Sequence, residues 1–317
     1  MYCRNMTKYF IITVDTEGDN LWNYHFGDKI TTYNTHFIPR FQDLCSQYGF
    51  LPVYLTNYEM IKDDDYVNYI KGVVAKNQCE VGIHVHAWNN PPFFDLGRGI
   101  SDNTYLIEYP LDVMKQKFAT TYNLIKEKIG IPPVSHRAGR WAMNKDYYQI
   151  LKDFNILVDC SHTPHIDWSS SKGYTIGGPD YRNVNSLPSF INDVLEVPVS
   201  IFPSNEKIRL GWKSQLYYYY KRMKIPRKVI WLRPAQSSLN DMKKLVDIFS
   251  NNEKCNYLEF MVHSSELMPG GSPYFPTKES IERMYRNMAD IFDYIKNKGY
   301  EGCTLKKYRT ICEEGKR

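Results

Sequence analysis

Tyr9-Phe10-Ile11-Ile12-Thr13-Val14-Asp15-Thr16-Glu17 is an apolar, largely β-branched run that ends in two carboxylates. Its composition predicts a buried strand over 9–14, with the acids at the carboxyl end. Four clusters further along repeat the arrangement. His84-Val85-His86 closes the run 79–83, Arg137 and Asp159 come next, and His263 closes 257–262. Parallel α/β folds place ligands and reactive groups at the carboxyl ends of their strands. Five such ends carrying carboxylates, histidines and an arginine predict one site assembled from distant segments.

Between these runs the period changes. Residues 66–74 have helical character, and 111–129 carry Leu111, Met114, Phe118, Leu124, Ile125 and Ile129 close to one stripe, ended by Gly130-Ile131-Pro132. Asn144 is placed to cap a helix with Tyr147, Ile150, Leu151 and Phe154 on one side. Residues 280–297 give the clearest helix, with Ile281, Met284, Met288, Ile291, Phe292 and Ile295 along one face. Further strands are expected at 49–56, 156–159, 194–201 and 258–262. Alternating strand and helix patterns predict a parallel sheet or barrel. Two stretches break the rhythm. Residues 161–189 read as an ordered surface loop rich in Gly, Pro, Ser and Asn. Residues 208–233, with Tyr217-Tyr218-Tyr219-Tyr220 beside Lys221, Arg222, Lys224, Arg227 and Lys228, read as an insertion. No repeat or linker divides the chain, so 1–317 is expected to be one domain.

A length of 317 residues and a hydrophobic fraction of 43% support a sizeable core. The net charge of +5 is mild and gives no reason to expect a nucleic-acid partner. The seven cysteines, Cys3, Cys45, Cys79, Cys160, Cys255, Cys303 and Cys312, are odd in number and lack Cys-x-x-Cys spacing. That disfavours a disulfide framework or zinc ribbon and predicts a reducing cytoplasm. The chain runs into its first strand with no signal-peptide apolar region and contains no bilayer-length apolar run, which agrees with that compartment. The Tyr-rich basic insertion suits peripheral contact with a membrane's inner face or with anionic glycan, and equally a solvated, partly packed hairpin or helix.

His84 and His86 are two apart, and on a strand alternate residues share a face, so both imidazoles are able to point at one ion. Glu17 supplies an oxygen from a neighbouring strand end. Two His and one carboxylate leave positions open for water and substrate. Asp15 shares a face with Glu17 and is a natural general base beside such a water. The competing reading has one His satisfied in the core and Asp15 capping a turn. His263 suits a general acid, or alternatively a histidine holding the turn after it. Arg137 has the chemistry to orient Asp15 by a bidentate contact, and Asp159 to fix Arg137 or His263. Purely structural roles for Arg137 and Asp159 stay open on the residues alone.

The order of these motifs resembles the polysaccharide deacetylases of NodB-homology type, carbohydrate esterase family four and its relatives. The resemblance runs from Val14 to Thr304. Val14-Asp15-Thr16-Glu17 stands where the family has its first motif and 80–86 where its metal His motif lies. Arg137-Ala138-Gly139-Arg140-Trp141 is similar to the third motif, Asp159-Cys160-Ser161 to the fourth, and Met261-Val262-His263 to the last. Gly82–Pro92 and His263–Gly270 resemble one branch in particular, as do Gly178-Pro179-Asp180 and Trp231-Leu232-Arg233-Pro234. The resemblance implies an α/β fold, a distorted (β/α) barrel of about seven parallel strands. It also implies a divalent metal ion, with zinc expected, held by Glu17, His84 and His86. Asp15 takes the place of the base and His263 of the acid, with Arg137 and Asp159 supporting them. Trp88, Arg140 and Trp141 are expected to contact substrate. Two positions depart from the family's commonest pattern: Trp88 stands where a second metal histidine four residues on is usual, and Thr16 replaces an adjacent Asp.

The resulting expectation is a metal-dependent hydrolase of C–N bonds that N-deacetylates an N-acetylated sugar, as a sugar nucleotide or lipid-linked glycan, in bacterial surface-glycan (O-antigen or capsule) synthesis. The alternatives are a non-acetyl amide hydrolase or amide-transfer enzyme, and a catalytically inactive glycan-binding member of the fold.

Overall fold

The computed structural model describes residues 7–97, 99, 103–207 and 227–315. The opening run forms β1 (Lys8–Thr16), buried along nearly its whole length. β2 (Pro52–Thr56), β3 (Glu80–Val85), β4 (Ser135–Ala138), β5 (Val158–Asp159), β6 (Ser189–Ile191), β7 (Val194–Glu196), β8 (Ile201–Lys207), β9 (Arg227–Trp231), β10 (Tyr257–His263) and β11 (Tyr300–Gly302) follow. Neighbours in space run β10-β1-β2-β3-β4-β5-β7, every pair parallel, with β6 antiparallel at one edge and β11 paired to β1. This curled, mostly parallel α/β sheet is the distorted barrel expected. Its open side is bridged by single backbone bonds, Ser200 N to Glu259 O (3.3 Å), Leu232 N to Ser200 O (3.0 Å) and Met261 N to Leu232 O (3.3 Å).

Helices cover the sheet because their apolar faces have nowhere else to go. In the helix Lys278–Asn297, Ile281, Met284, Met288, Ile291, Phe292 and Ile295 are all buried. Each such side chain contributes roughly 1.5–3 kcal/mol of transfer free energy. Phe292 packs edge-on against Phe10, Phe50 and Phe260, tying the helix to β1 and β10. The helix Leu111–Ile129 ends at Gly130, whose φ of 88° is a left-handed cap that other residues reach only with strain. Asn144 caps Lys145–Asp153 by accepting from Tyr147 N at 2.8 Å.

Two expectations change. The strand at 194–201 is broken into β7 and the start of β8, because Pro198 between them has no N–H to give a ladder. Of the insertion 208–233, residues 208–226 lie outside the described residues. The flanking β8 and β9 pair antiparallel, and Lys228 Nζ is engaged by Asp241 at 2.6 Å instead of standing in an open basic patch. Among the described residues, no helix is long and apolar enough to cross a membrane.

Candidate metal centre and active site

The carboxyl ends of β1, β3, β4 and β10 meet at one mouth. Strand register brings the pairs together: Asp15 lies opposite His263 and His84 opposite Arg137. His84 and His86 project to the same side, as the two-residue period requires. His86 Nε2 lies 2.9 Å and His84 Nε2 3.6 Å from Glu17 Oε2, and the two nitrogens are 3.2 Å apart. Their candidate ligand atoms all fall within 4.8 Å of one another.

These residues fit a metal ion. Donors bound at about 2.0–2.1 Å in a tetrahedron stand about 3.3 Å from each other, which matches the spacings found. The Nδ1 of His84 donates to the Arg137 carbonyl at 2.8 Å, which leaves its Nε2 lone pair facing the site. Charge points the same way. Burial opposes a charge on His84, yet Asp15 and Glu17 beside it raise its pKa above the ordinary value. Burial alone would raise Glu17, but hydrogen bonds from His84 and His86, with the His263 charge, hold it well below the carboxylate range. The acids thus leave the pocket a demand for positive charge that a bound cation would meet. Backbone contacts fix Glu17 further: its N–H donates to Ser264 Oγ at 3.1 Å and its carbonyl accepts from Asn34 Nδ2 at 2.8 Å.

Asp15 is held from beneath. Arg137, fully buried, donates from Nη1 to Asp15 Oδ1 at 2.6 Å, from Nη2 to Thr13 Oγ1 at 2.9 Å and to Glu259, and from Nε to the Cys160 carbonyl at 3.0 Å. One arm reaches Asp15, so the contact is not the bidentate one expected; the second arm serves Glu259. Burial would raise the Asp15 pKa, but Arg137, His84 and His263 bring it below its ordinary value. The free oxygen, Oδ2, lies 3.8 Å from His263 Nε2.

Asp159 is placed differently from expectation. It makes its contacts with His136 Nδ1 (2.7 Å) and Ser161 Oγ (2.7 Å), not with Arg137 or His263. The register pairs it with His136, whose side chain leaves β4 on the face opposite Arg137. Burial would raise it, and the His136 bond brings it to about 2, while Glu196 nearby is pushed well above its usual range by burial and the Asp159 charge. Asp159 thus belongs to a buried polar layer beside the site.

His263 is oriented by residues that the strand-end reading passed over. Arg233 Nη2 donates to His263 Nδ1 at 2.8 Å and to Glu266 Oε1 at 2.6 Å, and Glu266 Oε2 accepts from the His263 N–H at 3.1 Å. An arginine always donates, so in the neutral ring Nδ1 accepts and the proton sits on Nε2, facing the pocket. The sequence signal was there: a charged residue between Trp231-Leu232 and Pro234, and an acid three residues after His263. Trp22, edge-on to His263 at 5.1 Å, had no such signal.

The pocket over these groups measures about 450 Å³. Trp88, nearly buried, lines it with its ring 5.0 Å from His86. Arg140 and Trp141 line it as well, both at positive φ (55° and 65°). Arg140 also clamps the loop after β5, donating to Ser171 Oγ (3.0 Å) and the Lys172 carbonyl (2.9 Å). Trp141 lies parallel to Trp168 at 6.5 Å, an aromatic wall that sequence alone did not pair.

No family model matches the sequence, and no curated protein matches it significantly. Solved structures do. A Mycobacterium smegmatis protein assigned as a polysaccharide deacetylase is similar at 11% identity and a TM-score of 0.54, over 99% of this chain and 94% of that one. The 4-alpha-glucanotransferase of Thermococcus litoralis is similar at 10% identity and a TM-score of 0.51, over 95% of this chain and 38% of that one. The Xyl-CE4 domain of a multidomain xylanase from the hindgut metagenome of Trinervitermes trinervoides is 12% identical over 98% of this chain and 92% of that one, with a TM-score of 0.47. At such identities the likeness concerns the fold. The chain has the fold of the polysaccharide deacetylases, the NodB-homology type of distorted (β/α) barrel.

Proposed function

We propose that the chain, read as one catalytic unit over 1–317, is a metal-dependent hydrolase of C–N bonds that removes the acetyl group from an N-acetylated sugar in surface-glycan synthesis. The observation that carries this reading is the convergence of Glu17, His84 and His86 on one point, with Asp15 and His263, 3.8 Å from each other, beside it. Zinc is the ion of choice for two imidazoles and a carboxylate. When bound, such an ion lowers the pKa of water and polarises an amide carbonyl.

The chain's own groups supply the rest. Asp15 Oδ2, the oxygen that Arg137 leaves free, takes a proton from the attacking water. Arg137 keeps Asp15 ionised and fixed. His263 in its imidazolium form gives its Nε2 proton to the departing nitrogen, since an amine anion leaves poorly, and Glu266, whose Oε1 lies 3.6 Å from Nδ1, pairs with that form. Trp88 closes the pocket beside His86 against water, and Trp141 gives a sugar ring a flat surface. The described cysteines, Cys45, Cys79, Cys160, Cys255, Cys303 and Cys312, are free thiols, which suits a reducing cytoplasm and so a sugar nucleotide or lipid-linked glycan as substrate.

The test is acetate release from a panel of N-acetylated sugars and sugar nucleotides by zinc-loaded protein, beside Asp15→Asn. Release that depends on both the ion and Asp15 is expected. Binding of the same sugars without any release by the loaded protein would replace this reading with that of an inactive glycan-binding protein.

A further inference from the structure

A second cavity, of about 480 Å³, has aromatic walls. Tyr24, stacked on Trp88 with ring centroids 4.8 Å apart, stands between it and the metal pocket, so a molecule in one does not run on into the other. Two of its rings already carry ammonium groups of the chain. Lys62 Nζ rests 5.1 Å from the centre of the Tyr58 ring, and Lys117 Nζ 5.9 Å from that of Phe93. Phe26 and Phe93 meet edge-on at 6.4 Å while remaining 45% and 56% exposed. Large rings left in water over a cavity mark a ligand surface.

The polar groups of the same cavity are acceptors that lack a cation. Asp28 accepts from His25 N at 2.9 Å, and Asp63 from Tyr66 N at 2.9 Å and from Thr32 Oγ1. Glu59 accepts from Gly18 N at 2.7 Å and from Asn89 Nδ2 at 2.8 Å. All these donors are neutral. Among the described residues, none of the three carboxylates forms an ion pair with a lysine or arginine, and Lys62 sits on Tyr58 instead. Asn89 is 5% exposed, and its Oδ1 has no hydrogen-bond partner in the protein. Three carboxylates against one ammonium reject an anion and favour a cation. The cation is not a metal ion: among the described residues only Glu17, His84 and His86 gather as metal ligands do. A neutral alcohol would give hydrogen bonds but leave the charge unanswered. An alkylammonium answers every feature, with charge and N–H donors for the acceptors and a body that suits the ring faces.

We propose that this cavity binds a small aliphatic amine in its ammonium form, a ligand separate from the molecule that reacts over the metal ligands. Asp28, Glu59 and Asp63 take its charge and its N–H donors, and Phe26, Tyr58 and Phe93 cover its methylene chain. The site stands whether or not the metal pocket hydrolyses an amide.

The experiment is titration calorimetry of zinc-loaded, full-length protein with diaminobutane and, as an uncharged control of equal length, butanediol. At about pH 8 the diamine is charged and Glu59, whose pKa is raised to about 7, is ionised. One saturable diamine site per chain is expected, with butanediol weaker by about tenfold or more, the scale of a charge-assisted hydrogen bond. Asp28→Asn with Asp63→Asn keeps the size of both side chains and should weaken the diamine by about tenfold or more. Phe26→Leu with Phe93→Leu, which removes the ring faces, should weaken it by about threefold to tenfold, and Phe26→Tyr with Phe93→Tyr should retain it. Circular dichroism and zinc content verify that each variant is folded. Absence of saturable diamine binding to the wild type, equal affinity for diamine and diol, or an affinity unchanged by the asparagine pair overturns the site. So does diamine binding that is lost in Asp15→Asn and kept in the asparagine pair, which would put the amine in the metal pocket.

Discussion

Asp15 and His263 are register partners on adjacent parallel strands, with Oδ2 of one 3.8 Å from Nε2 of the other. The proposed base and acid are therefore placed by one backbone ladder, beside the proposed metal ligands. Asp15→Asn keeps the size of the side chain and removes the proton acceptor. Metal content should stay unchanged while kcat falls by about 10²–10⁴. Steady-state kinetics with metal analysis of the same sample checks this, and an asparagine variant with near-normal turnover assigns the base elsewhere.

Arg137 joins Asp15 and Glu259 through separate guanidinium nitrogens in a fully buried position. Arg137→Met leaves both carboxylates without their partner, and should destabilise the fold by about 3–5 kcal/mol in urea unfolding. Arg137→Lys keeps a charge but loses the fork. Burial pushes the Asp15 carboxyl up and Arg137 is the chief force bringing it down. Weakening that contact raises the Asp15 pKa, and a base must be ionised to act. The acid limb of kcat/KM is thus expected at higher pH in Arg137→Lys than in the wild type.

Gly139 follows β4 at a point where the backbone presses on the metal set. A Cβ there would lie 2.5 Å from the Val85 carbonyl oxygen and 2.8 Å from His86 Nδ1. Gly139→Ala should therefore displace His86 and weaken metal affinity by about 10–100-fold, the usual cost of disturbing a ligand's support. Competition with a chromogenic chelator measures it. Unchanged affinity would mean that His86 is not a ligand.

Much of this arrangement was legible in the sequence, because it follows from local patterns. An apolar run ended by Asp15 and Glu17, and a His-x-His pair on a strand, carry their geometry in a period of two. The Asn144 cap and the Gly130 stop are equally local. What escaped depended on register between distant strands. Whether Asp159 meets Arg137 or His136 is decided by how β5 pairs with β4, and the pairing sets it beside His136. Arg233 reaches His263 only because the chain after β9 bridges the open side of the barrel to β10. Trp22 comes from a loop with no periodic signal. Pro198 was visible, and its missing N–H was reason enough to end the strand there.

Glu59 gives the fold a pH dependence of its own. Burial above all lifts its pKa from an ordinary 4.5 to about 7. The folded protein holds that proton where the unfolded chain has already released it, so stability falls as pH rises from about 4.5 to about 7 and levels off above. Glu59→Gln removes this contribution. The urea midpoint of the wild type should drop between about pH 5 and about pH 8 by more than that of Glu59→Gln. Equal drops in the two proteins would place Glu59 in water.

The central claim is that Glu17, His84 and His86 hold one divalent ion. Its most direct measurement is the metal content of full-length protein purified without chelator, wild type beside His84→Ala, with folding verified by circular dichroism. The wild type should carry one zinc per chain and the folded His84→Ala protein close to none. A wild type that takes up no ion from excess zinc, or a His84→Ala protein that stays fully loaded, would contradict the account.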